Sequence, residues 1–185
     1  LTLFSVGIAV GSLLCERLSG RKVEIGLVPF GSFGLTLFGL LWWWHSGDVP
    51  AGTAPHSWLD LLGMSQAWWI MASIVGLGIF GGFYIVPLYA LIQARTAEGE
   101  RARVIAANNI LNALFMVVSA IVTIVLLSLA KLSIPQLFLV VSLLNIGVNA
   151  YIFRIVPEFT MRFMIWLLSH SMYRVEHRDL QKIPE

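Results

Sequence analysis

Charge is what this 185-residue chain lacks most: 12% of its residues are Asp, Glu, Lys or Arg against 58% apolar. A soluble domain carries about twice that charge, near 25%. The shortfall is concentrated in long stretches, the pattern of a chain that crosses a membrane several times. A soluble alternative would have to bury several wholly apolar helices in one small domain. Cysteine is nearly absent too. Cys15 stands alone in an apolar run, which excludes a disulfide framework or a cysteine metal site and leaves a small packing residue. The opening, LTLFSVGIAVG, has no Met and no basic n-region. It does not match a signal peptide and reads as a membrane helix cut open, so the chain is expected to be part of a longer polypeptide.

What is present is organised around residues 11–26, GSLLCERLSGRKVEIG. Glu16, Arg17, Arg21, Lys22 and Glu24 are crowded between two apolar runs. A charge at the bilayer centre costs roughly 2.5–3.5 kcal/mol on insertion scales, so this cluster is expected at the membrane surface. The run before it, residues 1–15, holds Gly7 and Gly11 at the spacing that lets helices approach closely. Residues 25–44 form a second span that closes on Trp42, Trp43 and Trp44, amphipathic rings suited to a membrane–water boundary. A polar loop rich in Gly, Pro, Asp and Ser covers residues 45–66, with a short surface helix over 59–64. The third span, 67–93, enters through Trp68 and Trp69 and carries Gly78, Gly82 and Pro87, the last expected to kink it. A second charged hinge, RTAEGERAR, precedes the fourth span at 104–129. A brief turn then leads to the fifth at 136–156.

The Lys and Arg residues test this order. Eleven of 12 fall on the side of the first hinge, and only Lys131 falls opposite. By the positive-inside rule that side is cytoplasmic, as is the C-terminus. After Pro157 the segment EFTMRFMIWLLSHSMY is apolar for too few residues to span. Its Phe, Met and Trp content with Arg162 fits an interfacial helix over 157–173. From 174 the chain turns polar, as at the start of a cytoplasmic domain.

No catalytic site is expected. His56 and Asp60 are four apart in a loop without a nucleophile, and His170 and His177 lie outside the spans. GLGIFGG follows no strand and sits in mid-membrane, so it is a helix-packing segment and not a nucleotide loop. No metal site, cofactor or nucleic-acid partner is expected. The spans do carry polar stripes. Asn108, Asn112, Ser119 and Thr123 fall within about 60° of one helix face, and Ser142, Asn145 and Asn149 form a second set. Polar groups in lipid must find partners. Two roles stay open for both stripes: hydrogen bonds between helices, or the lining of a cavity that meets a polar head group.

The hinge resembles the loop signature of the major facilitator superfamily, carried here by Ser12, Leu14, Glu16, Arg17, Gly20, Arg21 and Lys22. Glu16 stands where that family has Asp, and Ser19 lengthens the link by one residue. The resemblance implies an all-α membrane fold, a partial six-helix bundle whose five spans correspond to helices eight to twelve. It also implies that the acid and the bases of the hinge contact the other half of the transporter. The tail, WLLSHSMYRVEHRDLQKIPE, is similar to the segment that leads into a glycerolipid acyltransferase domain fused behind lysophospholipid transporters. That enzyme's His-x-x-x-x-Asp motif is absent: where the spacing requires Asp, five places on, His170 is followed by Val175 and His177 by Lys182. The resemblance thus implies no enzyme in this chain. It implies transport of lysophospholipid, lysophosphatidylethanolamine in particular, across a bacterial inner membrane. The partners implied are membrane lipids, the missing transporter half and the downstream acyltransferase. A drug or metabolite exporter of the same fold is one rival, and would place ionisable groups in the other half. A membrane anchor for an acyltransferase is another, and would leave lipid turnover indifferent to cavity-facing substitutions.

Overall fold

A computed structural model of the chain describes residues 1–18, 26–47, 57, 62–155, 161, 165 and 168. All regular structure among them is helical: α1 (Thr2–Leu18), α2 (Leu27–Ser46), α3 (Ser65–Arg95), a single 3-10 turn (Glu98–Glu100), α4 (Arg101–Ser128) and α5 (Ile134–Ile155). Among the described residues, four helices are long and apolar enough to cross a membrane. The five expected spans all appear as helices, but α1 has 17 residues, fewer than the about 20 that a crossing needs. The 31 residues of α3 measure about 46 Å at 1.5 Å per residue, so it must tilt within, or emerge from, an about 30 Å hydrocarbon layer.

The helices α1, α3, α2 and α5 pack side by side in that order. Glycine sets how closely α1 meets α3. A Cβ on Gly7 would lie 2.5 Å from the carbonyl oxygen of Val75, and one on Gly78 would lie 2.5 Å from that of Phe4. Gly11 abuts the Ile79 carbonyl, and Gly82 the backbone of Ser12. Both small-residue pairs expected from the sequence therefore share one seam, in which backbone lies on backbone. Apolar burial cannot drive helices together inside lipid, so dispersion across such a seam is the main attraction available.

The contact between α2 and α3 is aromatic. Phe30, Phe38, Phe80 and Phe83 form a chain of tilted and edge-on rings with centroids 5.2–5.9 Å apart. The backbone at Gly34 makes room for the Phe80 ring, and Gly76 for the Phe38 ring. Cys15 is buried beside Leu27 and Phe83, the packing role expected of it. Pro87 is buried within α3, and the helix runs through it to Arg95. At the other end of the α2–α3 pair, His45 stacks on Trp69 with centroids 5.3 Å apart and planes 8° from parallel. That contact places the tryptophans of both helices at one end of the bundle, as a boundary belt requires.

The helix α4 stands apart. None of its residues is buried, although it belongs to the most apolar of the four candidate spans. Its surface therefore suits contact with lipid or with other helices. A turn through Lys131, at φ 53°, joins it to α5. There Ser133 and Gln136 cap each other: the Ser133 N–H donates to Gln136 Oε1 at 2.8 Å, and the Gln136 N–H to Ser133 Oγ at 3.4 Å. This reciprocal box starts α5 at Ile134, two residues before the start expected from the sequence.

Candidate functional site

The two polar stripes are settled differently. On α5, Asn145 Nδ2 donates to the Ser32 carbonyl and to Thr36 Oγ1, both at 2.9 Å. Asn149 Nδ2 reaches the same two oxygens at 3.3 and 3.0 Å. Thr36 itself donates to the Ser32 carbonyl at 3.3 Å. Ser142 is buried, and its Oγ occupies the space that a side chain at Gly39 would need. This stripe joins α5 to α2, the interhelical role. Two buried atoms there, Ser32 Oγ and Asn149 Oδ1, have no hydrogen-bond partner among the described residues. Ser142 and Asn145 also border an otherwise apolar groove of about 380 Å³, with Leu35, Leu77 and Phe138 in its walls.

On α4 the stripe looks across to α3. Asn108 Nδ2 and Asn112 Nδ2 each donate to the hydroxyl of Tyr89 at 2.9 Å. Seven residues beyond Asn112, at two helical turns, Ser119 donates to the Met116 carbonyl at 2.9 Å, and half-exposed Thr123 follows one turn later. The three groups Tyr89, Asn108 and Asn112 sit in the wall of a groove of about 690 Å³ between the two helices. The remaining wall is Tyr84, Ile85, Leu88, Leu91, Ile92, Phe115, Met116 and Ser119, without an ionisable carboxylate or a basic group. Such a site can hold an apolar chain and offer neutral hydrogen bonds at one place along it.

Of the hinge motif, Ser12 donates to the Ile8 carbonyl at 2.8 Å within the glycine seam. Leu14, Glu16 and Arg17 are exposed on the last turns of α1. Gly20, Arg21 and Lys22 lie outside the described residues, as do His56, Asp60, His170, His177 and nearly all of 157–185. At the second hinge Arg101 Nε donates to the Thr96 carbonyl at 3.3 Å, with Glu98 at 4.0 Å from its guanidinium. Among the described residues no three His, Cys, Asp or Glu side chains gather as metal ligands.

Three participants were not expected from the sequence. Tyr89 stood in an apolar run with nothing local to mark it. Ser32 and Thr36 are i,i+4 on α2, a polar pair facing one way, which was a usable signal. Their asparagine partners lie more than a hundred positions away. Comparison of the chain with family models, curated proteins and solved structures gave no match. Among the described residues, fold and site define an all-helical arrangement with four helices long and apolar enough to cross a membrane, and function rests on the site's chemistry.

Proposed function

We propose that the chain is the C-terminal half of a facilitator-type transporter. Its cargo is lysophospholipid, with lysophosphatidylethanolamine as the foremost candidate, carried across the bacterial inner membrane to an acyltransferase on the same polypeptide. Transport proceeds by two helix bundles rocking about a central cavity. The observation that carries this reading is the α3–α4 groove, mostly apolar, uncharged and furnished with a hydrogen-bonded cluster of three neutral polar side chains. A single-chain lipid has the matching division into a small polar head and one acyl chain. The absence of charge in the groove's wall favours it over a desolvated small ion, which needs charged or multiple oxygen ligands.

The test is uptake. Spheroplasts that express the complete polypeptide should reacylate externally supplied lysophosphatidylethanolamine, whereas spheroplasts with an empty vector should not. If detergent extracts acylate the lipid but intact spheroplasts do not, the helices are an anchor. Orientation is checked separately by an impermeant thiol reagent. Ser57→Cys should be labelled from outside and Gly99→Cys should not, because eleven of the 12 basic residues flank the Gly99 side.

A further inference from the structure

We propose that the α3–α4 groove recognises the free glycerol hydroxyl of a single-chain phospholipid through Tyr89, Asn108 and Asn112, with the lipid phosphate directed toward Arg101. This rests on the transport reading and names the group by which the site would select its lipid. A phenol oxygen has one proton and two lone pairs. The two asparagine N–H donors, each at 2.9 Å, occupy both lone pairs and leave the phenolic proton to donate elsewhere. Neither Asn108 Oδ1 nor Asn112 Oδ1 has a hydrogen bond among the described residues. Turning the amides over does not remove the mismatch, since one phenolic proton can serve only one of two carboxamide oxygens.

The groove therefore offers one donor and two acceptors side by side, in a wall whose other residues are aliphatic or aromatic apart from Ser119, whose hydroxyl is turned to the Met116 carbonyl. A hydroxyl answers both, because it accepts from the phenol and donates to a carboxamide. An ester carbonyl can only accept, and a methylene can do neither. A lipid with a free glycerol hydroxyl is thus distinguished from one with that position acylated.

Arg101 adds polarity along the axis. It lies seven residues before Asn108, two helical turns, and so on the same face of α4 about 10 Å away. Its contacts with Thr96 and Glu98 hold it at the charged end of the helix pair. That span accommodates a phosphate ester and one glycerol carbon, with a hydrogen bond of about 3 Å at each end. Past Asn112 the wall continues with Phe115 and Met116, where the acyl chain would run. Charge, neutral polar group and apolar wall follow one another in the order phosphate, hydroxyl, chain.

The test is equilibrium binding to the complete polypeptide in phosphatidylcholine nanodiscs. The two probes are 1-oleoyl lysophosphatidylethanolamine and its 2-deoxy analogue, which lacks only the hydroxyl. The native protein should prefer the hydroxylated lipid by about tenfold. Tyr89→Phe should abolish that preference and leave affinity for the deoxy probe unchanged, while Arg101→Gln should weaken both probes alike. If the native protein binds both probes equally, or Tyr89→Phe weakens both equally, hydroxyl recognition is wrong and lysolipid transport still stands. If the native protein binds neither probe saturably, the transport reading fails and this inference fails with it.

Discussion

Asparagine is used twice in this molecule, at similar helical spacing, and the two pairs end in different company. Asn145 and Asn149 point at a backbone carbonyl and a threonine hydroxyl of α2, and Asn149 is buried. Asn108 and Asn112 share a single phenol, and Asn112 is exposed in the groove. The first pair finds its partners by drawing two helices together. The second holds α3 and α4 at the distance of a tyrosine side chain and leaves space between them. The same side chain is therefore cohesive where the facing helix offers small residues, Ser32, Thr36 and Gly39. It becomes part of a cavity wall where the facing helix offers large ones, Tyr84, Leu88 and Tyr89.

The largest expected effect comes from making the tightest contact as loose as the groove. Gly11→Val drives a side chain into the Ile79 carbonyl, where backbone cannot yield as a side-chain tip can. It should cost about 3 kcal/mol or more, measured as a fall in the midpoint of unfolding in mixed micelles. Next comes the pair Asn145→Leu with Asn149→Leu. It removes all four N–H contacts between α5 and α2 and should lower stability by about 2 kcal/mol, given roughly 0.6 kcal/mol for an average membrane hydrogen bond. The same double change at Asn108 and Asn112 should cost less than about 1 kcal/mol, because α4 has no buried residue to lose. A destabilisation as large as that of the α5 pair would erase the distinction between the stripes. The smallest effect is Ser32→Ala. It deletes a buried hydroxyl that has no partner among the described residues, so thermal stability should be unchanged within about 0.5 kcal/mol or slightly raised.

Much of the fold was legible because membrane helices announce themselves by the length of an apolar run. The limits of α2 and α3 fall within two residues of the expected spans, and the glycine pairs in α1 and α3 did identify a close contact. The expected start of α5 falls two residues late because Pro135 counts with the preceding turn and not with the helix. The Ser133–Gln136 capping signal allows a proline inside the first turn, where no N–H partner is lost. The α1 run, at 17 residues shorter than a full crossing, matches the cut-open membrane helix expected of residues 1–15. The site was half legible. Spacing puts Asn108 and Asn112 on one face, and Asn145 and Asn149 on another, but it carries no information about what each face meets. Tyr89, Ser32 and Thr36 supply that, and their pairing depends on which helices become neighbours.

The proposed roles divide the asparagines, those of α4 to a lipid site and those of α5 to the scaffold. A single comparison of lysophosphatidylethanolamine reacylation in spheroplasts separates the two. The complete polypeptide would carry either Asn108→Leu with Asn112→Leu or Asn145→Leu with Asn149→Leu, at matched membrane abundance. The α4 pair should lower uptake about tenfold or more with acyltransferase activity in extracts intact. The α5 pair, once matched for abundance, should retain most of its uptake. Full uptake by the α4 pair, or a loss confined to the α5 pair, would contradict this division of roles.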